Sequence, residues 1–221
     1  LEGLDTALQR SELGAWSPAG GRLIPADDPF LQLQRRLVLA RCGRMDPGRI
    51  EEALEAGAYR QLAAVLQRND PAAVIEAVRQ SGLRGRGGAG YPTGLKWATV
   101  AAMAGDDTLL VCNGDEGDPG AFMDRTVMEG DPHLLLEGMA IAAFAIGAKQ
   151  AYLYVRAEYP LAIERLRRAI AEAEQHRWLG PAIADSQFDL QIQLRVGAGA
   201  YVCGEETALI HSIEGRRGVP R

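Results

Sequence analysis

Ser81-Gly82-Leu83-Arg84-Gly85-Arg86-Gly87-Gly88-Ala89-Gly90-Tyr91-Pro92-Thr93-Gly94-Leu95-Lys96-Trp97 holds six of the 26 glycines of this 221-residue chain within 17 residues. Glycine reaches positive φ without strain and leaves no Cβ in the way of a ligand. Successive N–H groups in such a run converge on an anion as a nest. Arg84, Arg86 and Lys96 add positive charge where a phosphate would sit, and Tyr91 and Trp97 offer flat faces for a ring. Phosphate plus ring means a nucleotide or a flavin mononucleotide. Gly85, Gly87 and Gly90 match G-x-G-x-x-G, but the dinucleotide fingerprint needs a strand before it, and Pro71 to Gln80 reads as a helix. Gly94-Leu95-Lys96-Trp97 lacks the Gly-Lys-Ser/Thr of a phosphate-binding Walker loop. A flexible linker would not interleave Arg, Lys, Tyr and Trp with its glycines.

Upstream of the loop the chain reads as helical. Asp46-Pro47 and Asp70-Pro71 look like N-cap and first helical residue, predicting helices from about Pro47 to Ala56 and from Pro71. Ala58 to Gln67 gives another between them, and Leu31 to Leu39 suits a short helix or strand. Residues 1 to 30, with Ser17-Pro18-Ala19-Gly20-Gly21 and Pro25-Ala26-Asp27-Asp28-Pro29, form an extended or partly disordered lead-in.

Downstream, Leu95 to Ala104 predicts a helix and Thr108 to Cys112 a buried parallel strand. Asp131-Pro132 opens an apolar helix to about Gly147, Gln150 to Arg156 is a strand, and Tyr159-Pro160 begins a helix. Phe188 to Val196 alternates as a half-exposed strand, and a last helix stops at Gly215. This order implies an α/β fold. It is a Rossmann-like sheet with helices on both faces, preceded by a helical N-terminal segment and the glycine-rich loop. The implied division is a lead-in at 1–30, a helical segment and loop at 31–94, and the Rossmann-like domain at 95–221.

Two further motifs follow strands. Cys112-Asn113-Gly114-Asp115-Glu116-Gly117-Asp118-Pro119-Gly120 falls where open α/β sheets place ligands, beyond a strand's carboxyl end. It reads either as an acidic surface turn or as a set of acceptors for ring edges and sugar hydroxyls. Gly197-Ala198-Gly199-Ala200-Tyr201-Val202-Cys203-Gly204-Glu205-Glu206 is a second glycine loop. Glu205 and Glu206 would lie in the first turn of a helix, where acids are favourable without any function.

Bulk composition excludes several classes. The net charge is −5 with no basic stripe, which argues against nucleic acid. Cys42, Cys112 and Cys203 lie far apart, so neither a metal site nor a disulfide framework is signalled, and a sparse odd count suits a reducing cytoplasm. Leu134 to Ala148, the longest apolar run, contains Glu137 and is too short to span a bilayer. Cys112 and Cys203 read as core thiols, and His133, His176 and His211 as isolated capping or surface histidines. The chain begins with Leu1 and ends after Val219-Pro220-Arg221, so both ends read as cuts in a longer protein.

Taken together, the three glycine and acidic stretches resemble the NADH-oxidising FMN flavoprotein subunits of respiratory complex I, of NAD-reducing hydrogenases (the diaphorase subunit) and of NAD-dependent formate dehydrogenases (the beta subunit). The similarity runs from roughly Arg35 to Arg221. It implies the cofactors FMN and NAD(H). The glycine-loop flavin residues would be Gly85, Arg86, Gly87, Gly88, Gly90 and Lys96, followed by Asn113, Asp115 and Glu116 of the acidic turn. Tyr201, Gly204, Glu205 and Glu206 would complete the flavin and nicotinamide pocket, with Tyr91, Asp118 and Glu206 on the NADH side. Asp118 stands where complex I members usually have glutamate, which resembles the hydrogenase and formate dehydrogenase branch.

The resemblance further implies hydride passing from NADH to FMN, with no acid–base residue required. Electrons would leave through a 4Fe–4S cluster held by a C-terminal part absent from these residues. The partners would be a thioredoxin-like 2Fe–2S subunit and a larger iron–sulfur or catalytic subunit of a cytoplasmic assembly. Acids near the ribose would repel a 2′-phosphate, favouring NADH over NADPH. The rivals are the complex I subunit itself, a non-catalytic nucleotide-binding docking module and a phosphate-loop transferase.

Overall fold

The computed structural model describes residues 8–10, 16–18, 29–118 and 120–220. Leu8–Arg10 (β1) pairs antiparallel with Trp16–Pro18 (β2); the rest of the expected lead-in, up to residue 28, lies outside the described residues. Pro29–Gln32 (α1) is a single helical turn, and the expected helix or strand to Leu39 does not continue from it.

Ile50–Glu55 (α2), Arg60–Arg68 (α3) and Pro71–Gln80 (α4) follow. Asp70 caps α4 as its Asp-Pro signature implies, accepting from the Ala73 N–H at 3.0 Å. Asp46 does not cap α2. Its carboxylate accepts from the Gly48 N–H at 2.9 Å, and the helix starts only at Ile50. The start of α3 lacks a local cap, since Tyr59 before it is left-handed at φ 62°. Glu137 of a distant helix accepts from the Gln61 and Leu62 N–H groups at 3.0 and 3.1 Å instead.

Thr93–Ala102 (α5) begins and ends two residues before the helix expected from Leu95 to Ala104. It carries the chain unbroken across the 94–95 boundary. The three strands Leu109–Gly114 (β3), Gln150–Arg156 (β4) and Gln191–Gly197 (β5) then form a parallel sheet in the order β3-β4-β5. Between β3 and β4 lie Met123–Gly130 (α6) and Pro132–Ile146 (α7); between β4 and β5 lies Pro160–Gln175 (α8). Glu206–Ile213 (α9) follows β5 after a 3-10 turn, Tyr201–Gly204. The last strand starts later than Phe188. Leu190 pairs instead with Gly180, and Phe188 packs edge-on against Phe144 at 5.5 Å.

Alternation along β4 sorts the two faces. Ala151, Leu153 and Val155 are buried with Leu136, Met139, Ala140 and Ala143 of α7 and Ala162, Leu166 and Ala169 of α8. Right-handed crossovers between adjacent strands put both helices on this one face. Each fully buried leucine here adds roughly 1.5–3 kcal/mol relative to exposure. Tyr154 points to the other face and packs with Cys203 and Leu209 of the α9 region. Its hydroxyl crosses to Ser212 Oγ at 2.9 Å, through the space that a side chain on Gly197 would fill. The helical segment shares the main core: Ile50, Tyr59 and Leu62 belong to the same apolar cluster as the sheet.

Polar groups on the helical side form a chain of contacts. Arg41 holds Asp131 through two nitrogens at 2.6 and 2.9 Å, and Asp131 caps α7 through the Leu134 N–H at 3.1 Å. His133 is sealed between the Tyr59 hydroxyl at 2.9 Å and Glu172 at 3.5 Å, and Tyr59 stacks on Trp178. His133, expected as a capping or surface histidine, is therefore a core residue. Burial pushes its imidazole below the ordinary range against the pull of Glu172.

Candidate functional site

The carboxyl ends of β3, β4 and β5 bring the second and third motifs together. Asn113 and Gly114 are the last residues of β3. The Asn113 amide donates to the Gly204 carbonyl at 2.8 Å, and its oxygen accepts from the Asp115 N–H at 3.1 Å. The Tyr201 hydroxyl donates to Asp118 at 3.1 Å. Its ring lies against Gly117, where a Cβ would stand 2.8 Å from the ring, so only glycine admits this closure. Asn113, Asp115, Glu116, Asp118, Tyr201, Gly204 and Glu205 thus form one cluster across two loops.

Their carboxylates do different things. Glu116 accepts from the Asp124 and Arg125 N–H groups, both at 3.1 Å, and so caps α6. That helix is absent from the expected element order, because its cap comes from outside it and no local start signal exists. Glu205 is the N-cap of α9, accepting from the Ala208 N–H at 3.1 Å. Backbone donors at Thr207 and Ala208 hold its carboxyl below the usual range. The dipole reading is therefore realised at Glu205, while Glu206 begins the helix and is exposed.

Asp115 differs from both. Its side chain is 2% exposed, its Oδ1 lies 3.7 Å from Arg156 Nε, and its Oδ2 is buried with no hydrogen-bond partner among the described residues. Desolvation lifts its carboxyl above the ordinary range; Arg156 opposes the rise and Glu158 adds to it. A buried acceptor left unmatched costs about 1–3 kcal/mol, which a ligand hydroxyl or N–H would recover.

The glycine-rich loop is built separately, between α4 and α5. Arg84 and Pro92 form an antiparallel bridge, Gly85 N–H donates to the Tyr91 carbonyl at 2.9 Å and Thr93 N–H to the Leu83 carbonyl at 2.9 Å. Arg84 braces the loop by donating to the Gly90 carbonyl at 2.9 Å. Those bonds are internal to the loop and do not tie it to the acidic turn. Gly88 and Gly90 have φ 96° and 62°, so the turn itself requires them. Gly87 has no positive φ and nothing within 4 Å of an added Cβ. The main chain at Gly87 is therefore open, with room for a ligand to lie against it. Arg86, Tyr91 and Lys96 are exposed around it.

The donor set fits FMN. The open main chain at Gly87 suits a phosphate, the orphaned Asp115 oxygen a sugar-chain hydroxyl or ring N–H, and the exposed rings of Tyr91 and Tyr201 a stacked heterocycle. The sequence reading overlooked Arg156 and Tyr159. Arg156 donates to the Glu116 carbonyl at 3.2 Å and the Tyr159 hydroxyl to the same carbonyl at 3.3 Å. An arginine directly after the buried Leu153-Tyr154-Val155 of a strand was the available signal. Cys112, whose thiol burial pushes up to about 12, and the buried Cys203 are packing residues. Among the described residues no group of three or more His, Cys, Asp or Glu side chains is placed to hold a metal. No helix of the described residues is long and apolar enough to cross a membrane.

Comparison with known proteins agrees with this geometry. The chain is 53% identical over 187 residues to the NADP-reducing hydrogenase subunit HndC of Solidesulfovibrio fructosivorans, covering 85% of this chain and 38% of that protein. It is 50% identical over 185 residues to an NADH-quinone oxidoreductase subunit of Rhizobium meliloti, covering 83% and 44%. It superposes on an air-oxidised NAD+-reducing NiFe-hydrogenase with TM-score 0.61 and 43% identity over 72% of this chain and 27% of that one. The H2-reduced form gives TM-score 0.63 and 36% identity over 81% and 36%. The chain thus spans less than half the length of these relatives. A family model described as the Nuo51 FMN-binding domain matches residues 78–221, from the glycine loop through all three motifs, and the chain belongs to that family.

Proposed function

We propose that this chain is the FMN- and NADH-binding part of an electron-input flavoprotein subunit, the diaphorase part of a NAD-reducing hydrogenase or formate dehydrogenase. The observation that carries this reading is the buried, unpartnered Asp115 oxygen at the carboxyl edge of a parallel sheet, together with an open glycine main chain. Bound FMN supplies the chemistry, accepting hydride from NADH and releasing electrons singly.

The chain's own residues orient and exclude. Gly85, Gly87, Gly88 and Gly90 let the main chain approach FMN, with Arg86 and Lys96 beside its phosphate. Asn113 and Asp115 face its polar edges, while Glu116 and Glu205 act one step removed by fixing α6 and α9. Tyr91, Asp118 and Glu206 form the NADH side, and Tyr201 and Gly204 close the pocket between the two loops. Functionally the chain divides into a lead-in at 1–30, the helical segment and loop at 31–94 and the nucleotide domain at 95–221, although the last two share a core.

The 4Fe–4S cluster, the thioredoxin-like 2Fe–2S partner and the larger iron–sulfur subunit belong to the remaining length of such a protein and its assembly. A cytoplasmic setting is supported by three free cysteines. The second reading is the complex I flavoprotein subunit, favoured by the NADH-quinone oxidoreductase relative at 50% identity. Asp118 in place of glutamate favours the first.

The test is an FMN titration of the full-length protein, then anaerobic NADH or NADPH while flavin absorbance is followed. Binding followed by bleaching with NADH is the expected outcome. Binding without bleaching would mean a docking module, and no binding would end the flavin reading.

A further inference from the structure

Arg156 is the last residue of β4, the middle strand of the sheet, and stands between the acidic turn after β3 and the glycine loop after β5. Its side chain is 14% exposed; it contacts the acidic turn directly and reaches the loop after β5 through Glu158. Nη1 donates to the Glu116 carbonyl at 3.2 Å, and Nε lies 3.7 Å from Asp115 Oδ1. Nη2 donates to Glu158 at 2.7 Å. The Glu158 carboxylate in turn lies against Gly199, 2.8 Å from where a Cβ would stand. The same guanidinium and the Tyr201 ring both crowd Gly117, 3.3 and 2.8 Å from where its Cβ would stand. One side chain therefore fixes the carbonyl of the turn, faces its unsatisfied acid and ties it to the neighbouring loop.

Resting on the flavin reading above, we propose that Arg156 is the positioning residue of this site. It holds the acidic turn in its ligand-ready shape, and it is the positive charge that offsets Asp115 beside the bound flavin. Two physical arguments support this. Arginine's planar fork reaches several acceptors at once, which a lysine ammonium does not. A cation in a flavin pocket favours the reduced, negatively charged form, so an acidic pocket whose Asp115 is offset by a guanidinium sets a higher potential than the acids alone would. The contact with Glu158 is half exposed and contributes orientation more than stability.

The experiment compares Arg156→Gln and Arg156→Lys with wild type in the full-length protein. It reads FMN dissociation, the midpoint potential of bound FMN and the thermal midpoint. Arg156→Gln should weaken FMN binding by roughly tenfold or more, as loss of a charge-assisted contact does. The flavin that remains should have a more negative potential. Arg156→Lys should restore the potential but only part of the affinity. Wild-type affinity and potential in Arg156→Gln would overturn the inference. So would a loss of thermal stability in both variants with the potential unmoved, which marks a purely structural arginine. Wild-type protein that does not bind FMN would overturn the flavin reading and this inference together. Wild-type binding with unaltered variants would overturn this inference alone.

Discussion

Asp131 and Asp115 are both sealed from water, and they are in opposite condition. Asp131 takes two bonds from Arg41 and one from the Leu134 N–H, so its oxygens are matched. Asp115 has a guanidinium at 3.7 Å and a second oxygen with no partner. The first sits at the junction of α6 and α7; the second sits at the open ends of the strands. Glu172 Oε2 and His133 Nε2 also lack a hydrogen bond among the described residues, but they face each other at 3.5 Å inside the fold. Asp115 differs in lying at the open strand ends, where a ligand can reach its unmatched oxygen.

The largest effect should come from breaking the saturated member. Asp131→Ala strands the Arg41 charge and the N-terminus of α7, and should lower the unfolding free energy by roughly 3 kcal/mol or more in denaturant titration. Asp115→Asn keeps the shape and removes the charge. It should leave the thermal midpoint unchanged or raised while weakening FMN binding about tenfold, the scale of one lost charged hydrogen bond. Equal destabilisation by the two variants would erase the contrast.

The glycine loop offers the same contrast on a smaller scale. Gly88→Ala forces a side chain onto φ 96° and should cost about 1 kcal/mol, whereas Gly87→Ala should be thermally silent yet weaken FMN binding. A Gly87→Ala variant that binds FMN normally would make the open main chain incidental.

The smallest effects are in pH dependence. Asp115 has its folded pKa raised, so protons bind the folded state more readily. Its contribution to stability therefore falls as pH rises from the ordinary carboxylate range through the raised value, and Asp115→Asn should remove that slope. His133 has its folded pKa depressed, so stability is lost as pH falls below the ordinary imidazole range. Thermal midpoints across pH separate the two, since their slopes have opposite sign.

Sequence legibility followed how local each interaction is. Asp70 and Asp131 cap the helices their Asp-Pro pairs announce, because the carboxylate and the N–H it serves lie three residues apart. Asp46 carries the same signal but serves a turn, and α6 was invisible because Glu116 caps it from beyond its own sequence. At the site, the residue types and their three stretches were legible, and the sheet does gather the second and third. The division of labour was not. Glu205 caps α9 locally, as its position at the helix start implied, whereas only tertiary placement gives Glu116 to the start of α6 and leaves Asp115 unmatched. Arg156 went unread because its partners lie in loops that meet only when the strands align.

At Gly94 a Cβ would fall 2.5 Å from the Arg79 Cα, so α4 and α5 touch main chain to main chain at the mouth of the glycine loop. The two ends of the loop are thereby held together before any ligand arrives. Closing a loop and fixing glycine-rich backbone is entropically expensive, on the order of 1–2 kcal/mol per residue ordered. Here the helix contact has already met much of that cost during folding. A ligand entering the loop meets a preorganised mouth whose remaining freedom lies in the few residues between its anchored ends, so less ordering entropy counts against its affinity.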